Sequence, residues 1–153
     1  MEQLYIPRKI EGIIAESAKY FSVISVTGPR QSGKSTLLKH MFPEYNKYSM
    51  KDVNVREFAS NDPIAFLNQS KQGMFIDEVQ MVPSLLEYIQ GIVDDNPERK
   101  FLLSGSSNFE LMGNLCESLP GRACVYELLP MSYDECKEYN REKSINEILF
   151  DGL

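Results

Sequence analysis

A glycine-rich stretch between an apolar segment and an amphipathic one limits this chain to very few architectures. The stretch reads GPRQSGKST and runs from Gly28 to Thr36, and it fits the Walker A pattern G-x-x-x-x-G-K-[ST]. Before it, SVISVTG predicts a buried strand that ends at Gly28. After it, a helix is predicted from Gly33 to Phe42, ending before Pro43. This strand, loop and helix are the context that a phosphate-binding loop requires.

Each residue type in the loop suits the binding of phosphate groups. The glycines permit a compact loop with inward-pointing backbone N–H groups, and the helix start adds the positive end of its dipole. Lys34 supplies a point charge for β- and γ-phosphates, and the Ser35 hydroxyl is a candidate Mg²⁺ ligand. Arg30 either shields phosphate charge or is a solvated side chain. We expect the whole loop to bind nucleotide: Gly28, Pro29, Arg30, Gln31, Ser32, Gly33, Lys34, Ser35 and Thr36.

The rest of the chain alternates strand-like and helix-like segments, which predicts a mostly parallel α/β sheet. The later strands are predicted at KYSM, GMFIDE, KFLLSGSS and RACVYEL. Further helices are predicted at residues 10–21, from Asp62–Pro63, along Leu85–Val93, and around 132–140 and 145–150. The predicted fold is a three-layer α/β sandwich of the P-loop NTPase type, a five-stranded sheet with helices on both faces.

Two adjacent acids, Asp77 and Glu78, close the predicted strand GMFIDE. Neighbouring side chains in a strand point to opposite faces, so both acids serve one site only if the strand ends at Asp77. Asp77 is then the Walker B carboxylate that holds Mg²⁺, usually through its waters. Glu78, where the chain turns off the sheet, can orient and deprotonate an attacking water. The alternative for Glu78 is a solvent-facing acid beside a single metal ligand.

Small hydroxyl residues end the fourth predicted strand, LLSGSS, where a closed core would prefer branched aliphatic residues. A polar residue on a strand between the loop and the acids can hydrogen-bond the nucleophilic water or the γ-phosphate. Ser106 is the first candidate, followed by Ser104, Ser107 and Asn108. The alternative is an ordinary cap of the next helix by Ser107 or Asn108.

Length, charge and cysteine content argue against several classes of protein and site. Its 153 residues suit one domain, and it has neither a run of about 18 apolar residues nor the apolar core of a secretory signal. A net charge of −6 argues against a direct grip on nucleic acid. Three cysteines without a Cys-x-x-Cys pair, together with the single His40, argue against zinc. We expect reduced thiols and a cytoplasmic protein.

Four ordered segments resemble a known family: GPRQSGKST, MFIDEVQMVPSLLEYIQ, FLLSGSSNFELM and ESLPGRACVYELLPMSYDE. They resemble the AAA-type ATPase domain of a group of prokaryotic proteins, usually followed by a C-terminal domain of unknown function. The resemblance spans residues 5–150. It implies ATP and Mg²⁺ as ligands, ATP hydrolysis as the activity, and a fourth strand lying between the first and the third.

The resemblance also implies a role for Arg122 in SLPGR. In AAA-type ATPases an arginine at about this point reaches the γ-phosphate of its own subunit or a neighbour's, where it stabilises the transferred phosphoryl group. The alternative is that Arg122 pairs with an acid at the start of the fifth strand. The implied organisation is an AAA-type ATPase domain over residues 1–140. Residues 141–153 then begin a connection to a second domain, in a shortened chain or a naturally short protein.

Three functions stay open on the sequence. The leading one is an ATPase with water as the nucleophile, coupled to conformational change or partner interaction. The second is a nucleotide-gated interaction module with negligible turnover in isolation, acting in a homo-oligomer or through the second domain. The third, a small-molecule or nucleotide kinase, is disfavoured because no arginine-rich lid follows the fourth strand.

Overall fold

The computed structural model describes residues 5–106 and 109–139, which form one parallel sheet with flanking helices. The strands are β1 (Val23–Gly28), β2 (Lys47–Ser49), β3 (Gly73–Asp77), β4 (Lys100–Ser106) and β5 (Ala123–Glu127). The helices are α1 (Glu11–Ser17), α2 (Lys34–Met41), α3 (Val53–Asn61), α4 (Pro63–Leu67), α5 (Leu85–Asp95), α6 (Phe109–Ser118) and α7 (Tyr133–Tyr139). The strand order is β2-β3-β4-β1-β5, and the four strand pairings are parallel.

This architecture confirms the predicted five-stranded α/β sheet. Strand β4 lies between β1 and β3, as the resemblance implied. The predicted helix start at Asp62 is also present, since its side chain accepts a hydrogen bond from the backbone N–H of Ala65 at 3.0 Å. The helix predicted at 145–150 and the connection at 141–153 lie outside the described residues. None of the described helices is both long and apolar enough to cross a membrane.

Helix α3 was not predicted, because its sequence carries little helical signal. Its residues VNVREFASN include two β-branched valines and two asparagines, which have modest helix propensity, and only Ala59 is buried. The Asp52 side chain caps the helix by accepting from the N–H groups of Asn54 and Val55. The Asp52 cap and the packing of Ala59 and Val55 against the core cluster therefore stabilise this helix. Helix α6 was expected only through the alternative that Ser107 or Asn108 caps a helix after the fourth strand.

Helices cover both faces of the sheet, as predicted. Alternate residues of β4 divide between the two faces. Phe101 and Leu103 join one buried cluster with residues from α3 to α6, whereas Leu102 joins a second with Ile14 of α1 and Leu37 of α2. Every residue of β1 and β3 is buried. The predominantly apolar sequences of these strands are therefore explained by burial on both sides.

All five strands end at the same edge of the sheet, because all pairings are parallel. The register pairs Asp77 of β3 with Ser104 of β4, and Ser106 of β4 with Gly28 of β1. The phosphate loop after Gly28 and the acid that ends β3 thus meet at one carboxyl edge. Ligands of open α/β sheets bind at this edge.

Gly73 provides a test of the close packing between β3 and β4. Its φ is +122°, and an added Cβ would lie 1.7 Å from the carbonyl oxygen of Lys100. We expect Gly73→Ala to lower the free energy of unfolding by roughly 2–4 kcal/mol, measured by urea denaturation. Gly91→Ala is the control, because an added Cβ there meets nothing within 4 Å. In the interior of α5 it should stabilise the protein by about 0.5–1 kcal/mol. Similar effects of the two substitutions would contradict the packing argument.

Candidate functional site

A cavity of about 570 Å³ opens at the carboxyl edge of the sheet. Small-molecule sites typically enclose about 300–1,000 Å³, so its size suits a ligand. It is lined by loop residues, by the acid that ends β3, by the acid that follows it and by a lysine after β2: Arg30, Gln31, Gly33, Lys34, Ser35, Thr36, Lys51, Asp77 and Glu78. The structure therefore brings the predicted loop and the predicted acid pair to one cavity.

The loop leaves β1 in a conformation that only glycine allows at its first position. Gly28 has a φ of +147°, and an added Cβ would lie 2.2 Å from the carbonyl oxygen of Leu128. Helix α2 then begins at Lys34, directly after Gly33. The first N–H groups of a helix have no partner within the helix. The loop and the start of α2 therefore offer backbone donors suited to an anion.

Lys34 is buried, with 8% of its surface exposed. Its ammonium donates to the carbonyl oxygens of Gly28 at 3.0 Å and Pro29 at 2.6 Å. Burial lowers the pKa of Lys34, and the nearby charges of Glu78 and Asp77 partly offset this effect. A phosphate group in the cavity can compensate this buried charge better than two neutral carbonyl groups.

Asp77 is held by donors from three elements. Its Oδ1 accepts from the Ser35 hydroxyl at 2.6 Å and from the Ser104 hydroxyl, and its Oδ2 lies 2.9 Å from Nζ of Lys47. Burial raises the pKa of Asp77, but the hydrogen bonds from Lys47, Ser104 and Ser35 outweigh burial and lower it overall. Asp77 is therefore an ionised carboxylate at neutral pH.

The Ser35–Asp77 contact joins the two residues predicted to hold Mg²⁺. A hydroxyl and a carboxylate are hard oxygen ligands, which fit this cation. In the described ranges, no group of three or more His, Cys, Asp or Glu residues could hold a metal ion by itself.

Glu78 lies where the chain turns off the sheet, as predicted. Strand β3 ends at Asp77, and Glu78 has a φ of +59°, in the left-handed region. Its carboxylate contacts Nζ of Lys51 at 2.9 Å and Nε2 of Gln80 at 2.6 Å. Burial raises the pKa of Glu78, but the hydrogen bonds from Lys51 and Gln80 lower it overall. Because Glu78 lies outside the strand, its side chain is not directed to the opposite face from Asp77. Both acids can therefore line the same cavity.

Sequence reasoning missed Lys47 and Lys51, the cationic partners of the two acids. Lys47 begins β2, and Lys51 follows that strand by two residues. The sequence KYSMK contains both, but their function depends on β2 lying beside β3. A strand of three residues gives too little sequence pattern to show which strand lies beside it in the sheet.

Ser104, a secondary candidate after Ser106, contacts Asp77. Ser104 is fully buried opposite Asp77 and donates to it. Ser106 is half-buried at the end of β4, opposite Gly28. It lies beside the loop, and its proposed contact with water or the γ-phosphate stays a prediction. Ser107 and Asn108 lie outside the described residues.

The structure does not bring Arg122 to the cavity of its own subunit. Its carbonyl oxygen accepts from the N–H of Val23, at the start of β1, whereas the loop follows the end of that strand. Roughly 15–20 Å separate the two ends of a strand this long. The Arg122 guanidinium pairs with Asp94 on α5, with Nη2 3.1 Å from Oδ2. Arg122 thus forms an ion pair, as the structural alternative expected, but with an acid of α5 rather than one at the start of the fifth strand. Its reach to the γ-phosphate of a neighbouring subunit stays a prediction.

The outer side of the phosphate loop contacts a residue that sequence reasoning left without a role in the loop. Arg8, 7% exposed, donates from Nη1 to the carbonyl oxygen of Ser32 at 2.9 Å. Its Nη2 donates to the carbonyl oxygen of Leu129 at 2.7 Å, and its Nε donates to Glu135 at 3.1 Å. One guanidinium thus joins the loop, the segment after β5 and helix α7.

Glu135 is fixed by several donors besides Arg8. It accepts from the N–H of Lys9 at 3.0 Å and from the N–H of Ser132 at 2.8 Å. The Ser132 hydroxyl in turn accepts from the N–H of Glu135, which completes a capping box at the start of α7. Burial raises the pKa of Glu135, but the backbone donors and Arg8 lower it to about 2. The S-x-x-E pattern in MSYDE is the signal that could have identified this cap.

A phosphate loop after β1 and a carboxylate at the end of β3, joined across a parallel sheet, define a P-loop NTPase. A family model described as "AAA domain" matches residues 20–137. The chain therefore belongs to this AAA family. This assignment confirms the family that the four sequence motifs indicated.

Two curated relatives are uncharacterized proteins of Mycobacterium bovis and Mycobacterium tuberculosis. Each is 36% identical to this chain over 111 residues. The match covers 69% of this chain and 24% of each relative, so the chain spans about a quarter of the length of the curated relatives it matches.

Several solved structures have the same fold. A Walker-type ATPase of Pyrococcus abyssi matches with a TM-score of 0.59 and 19% identity, over 94% of this chain and 61% of that chain. A RuvB variant from Thermotoga maritima matches with a TM-score of 0.55 and 22% identity, over 85% of this chain and 46% of that chain. At these identities the likeness shows the fold alone.

The low pKa of Glu135 predicts how stability depends on pH. The folded pKa is about 2, below the ordinary value of 4.5, so the unfolded state binds more protons between these values. The free energy of unfolding should therefore fall as the pH decreases from about 5 to about 2. Glu135→Gln should cost roughly 1–3 kcal/mol at pH 7, and its stability should converge with wild type near pH 2.

Urea denaturation across this pH range measures the effect. Asp134→Asn is the matched control, because Asp134 forms an exposed ion pair with Lys9 at 3.7 Å. It should retain the wild-type slope. A slope for Glu135→Gln equal to that of wild type would contradict the assigned contacts.

Proposed function

We propose that this domain binds ATP with Mg²⁺ and hydrolyses ATP, coupling the cycle to conformational change or partner interaction. The observation that carries the proposal is the single cavity shared by Lys34, Asp77 and Glu78. A cation for phosphate, a carboxylate beside a loop hydroxyl, and a second carboxylate free of the strand are the parts that such a reaction needs. Membership of the AAA family supports ATP as the nucleotide.

The loop residues Gly28 to Thr36 hold the phosphates in this proposal. Backbone N–H groups and the Lys34 ammonium bind phosphate oxygens, and Arg30 at the cavity wall adds positive charge. Ser35 and Asp77 would hold Mg²⁺, which when bound would neutralise negative charge on the phosphates. Asp77 suits this role because its hydrogen bonds keep it ionised.

Glu78 acts as the general base. Its carboxylate takes a proton from water as the water oxygen bonds to the γ-phosphorus, while the bond to the β–γ bridging oxygen breaks. The products are ADP and inorganic phosphate. Lys51 and Gln80 orient the carboxylate, and their hydrogen bonds keep it in its basic, ionised form. Ser106, beside the loop, contacts the water or the γ-phosphate.

The proposed setting is the cytoplasm, where ATP is available and thiols are reduced. Cys124 is half-buried and Cys136 is buried, and both are free thiols. We further propose that residues 1–140 form the ATPase domain and that residues 141–153 lead to a second domain. The greater length of the mycobacterial relatives supports this arrangement.

Glu78→Gln should separate binding from turnover. The amide cannot accept the proton from water, so ATP hydrolysis should fall by about 100-fold or more while ATP affinity stays within about threefold. Phosphate release and calorimetric titration measure the two quantities. Glu87→Gln, an exposed acid on α5, is the matched control and should leave both unchanged. Wild-type turnover in Glu78→Gln would remove the proposed base.

A second candidate is a nucleotide-gated interaction module with negligible turnover in isolation, in which copies of the chain must assemble before ATP is hydrolysed. The position of Arg122 favours it, because this partly exposed arginine lies at the sheet edge opposite its own cavity. An arginine supplied by a neighbouring subunit can stabilise charge on the transferred phosphoryl group. In this version the isolated chain binds ATP but hydrolyses it slowly.

Turnover measured against protein concentration distinguishes the two versions. If Arg122 acts on a neighbour, turnover per chain should rise with concentration, and Arg122→Ala should abolish the rise. Lys71→Ala, an exposed lysine before β3, is the charge-matched control. Mixing Arg122→Ala chains with Glu78→Gln chains should then restore part of the activity. Constant turnover per chain, with no effect of Arg122→Ala, would exclude action on a neighbour.

A further inference from the structure

We propose that Arg8 and Glu135 are positioning residues for the phosphate loop. In this account Glu135 orients the Arg8 guanidinium, and the guanidinium holds the Ser32–Gly33 peptide so that its N–H faces the phosphates. The inference rests on the proposed function, because it assigns these residues to the same nucleotide site.

The geometry of one peptide unit carries the first step. The carbonyl of Ser32 and the N–H of Gly33 belong to the same planar trans peptide, and they point in opposite directions. Arg8 binds that carbonyl at 2.9 Å. Gly33 lines the cavity, whereas Arg8 lies outside it. Holding the carbonyl on the outer side therefore directs the N–H of Gly33 toward the cavity.

The rigidity of the guanidinium carries the second step. Its Nε, Nη1 and Nη2 atoms donate to three separate parts of the fold, at 3.1, 2.9 and 2.7 Å. A planar guanidinium bound at three points cannot rotate without breaking at least one of these hydrogen bonds. Arg8 and Glu135 are 7% and 8% exposed, so little water is available to replace a lost contact.

Glu135 completes the arrangement because its own position is fixed. Its two carboxylate oxygens accept from the backbone N–H groups of Lys9 and Ser132 as well as from Arg8. The orientation of the loop peptide thus depends on a carboxylate at the start of α7, far away in the chain. Preorganised donors bind anions more tightly than donors that must reorient, because the ordering cost is already met.

Without Arg8 or its orientation, the Ser32 carbonyl is free to turn toward the cavity. A carbonyl oxygen there would repel phosphate oxygens and remove one N–H donor. Nucleotide affinity should therefore fall, whereas the acid pair that carries the chemistry is not contacted by either residue. The expected kinetic signature is a raised KM with little change in kcat.

The test uses the full chain with ADP and ATP as probes in the presence of Mg²⁺. The variants are Glu135→Gln, which removes the charge, and Arg8→Lys, which keeps the charge but loses the three-point geometry. Asp134→Asn is the control, since it removes the same charge one residue away from an exposed pair. Calorimetric titration well below each unfolding midpoint gives Kd for fully folded protein.

We expect Kd for both nucleotides to rise about tenfold in Glu135→Gln and Arg8→Lys and to stay within twofold in Asp134→Asn. In the steady state KM should rise in parallel, with kcat within twofold of wild type. A lowered unfolding midpoint with unchanged Kd would mean that Glu135 acts only as a cap of α7, and it would overturn the inference. If Glu135→Gln does not fold, an unchanged Kd in Arg8→Lys overturns it equally. Failure of wild type to bind either nucleotide overturns the proposed function, and the inference with it.

Discussion

The hydrogen bond from Ser35 to Asp77 joins two parts of the chain that are 42 residues apart, and the rest of the site is arranged around it. Ser35 lies in the first turn of α2, and Asp77 ends β3. The two strands concerned are not neighbours, because β4 separates β1 from β3. The contact exists because the loop after β1 extends past β4 at the carboxyl edge, where β3 also ends. Ser104 of β4 donates to the same carboxylate and fills the space between them.

The electrostatics of the cavity follow from this arrangement. Each of the two acids forms an ion pair with a lysine in or just after β2. Lys47 pairs with Asp77, and Lys51 pairs with Glu78. Lys34 stands apart from these pairs, on the carbonyl groups of its own loop. The positive charge available to an anion in this cavity therefore comes from Lys34, from Arg30 at the cavity wall and from backbone N–H groups. The acids remain ionised because donors outweigh the effect of burial on their pKa values.

Features encoded locally were predictable from the sequence. The loop pattern and its flanking segments located the phosphate site, and adjacent acids required the strand to end at Asp77. Features that depend on strand order and register were not predictable in this way. Lys51 faces Glu78 only because β2 lies beside β3, and Ser104 contacts Asp77 only because these two residues are in register. The position of Arg122 away from the cavity was in principle predictable. It comes just before β5, and a residue before a parallel strand lies at the edge of the sheet opposite the phosphate loop.

Strand β2 is the outermost strand on its side of the described sheet, and it is only three residues long. An outer strand offers unpaired backbone groups that can recruit a strand from another molecule. Charged side chains and short length are two features by which natural sheets prevent such pairing. Lys47 is such a charged side chain on the outer strand, and it also forms the ion pair with Asp77. Replacing Lys47 with an apolar residue would remove a charge from the outer strand and the ion pair from Asp77 at once. A loss of activity in such a variant would therefore need a solubility measurement beside it before it could be assigned to the site.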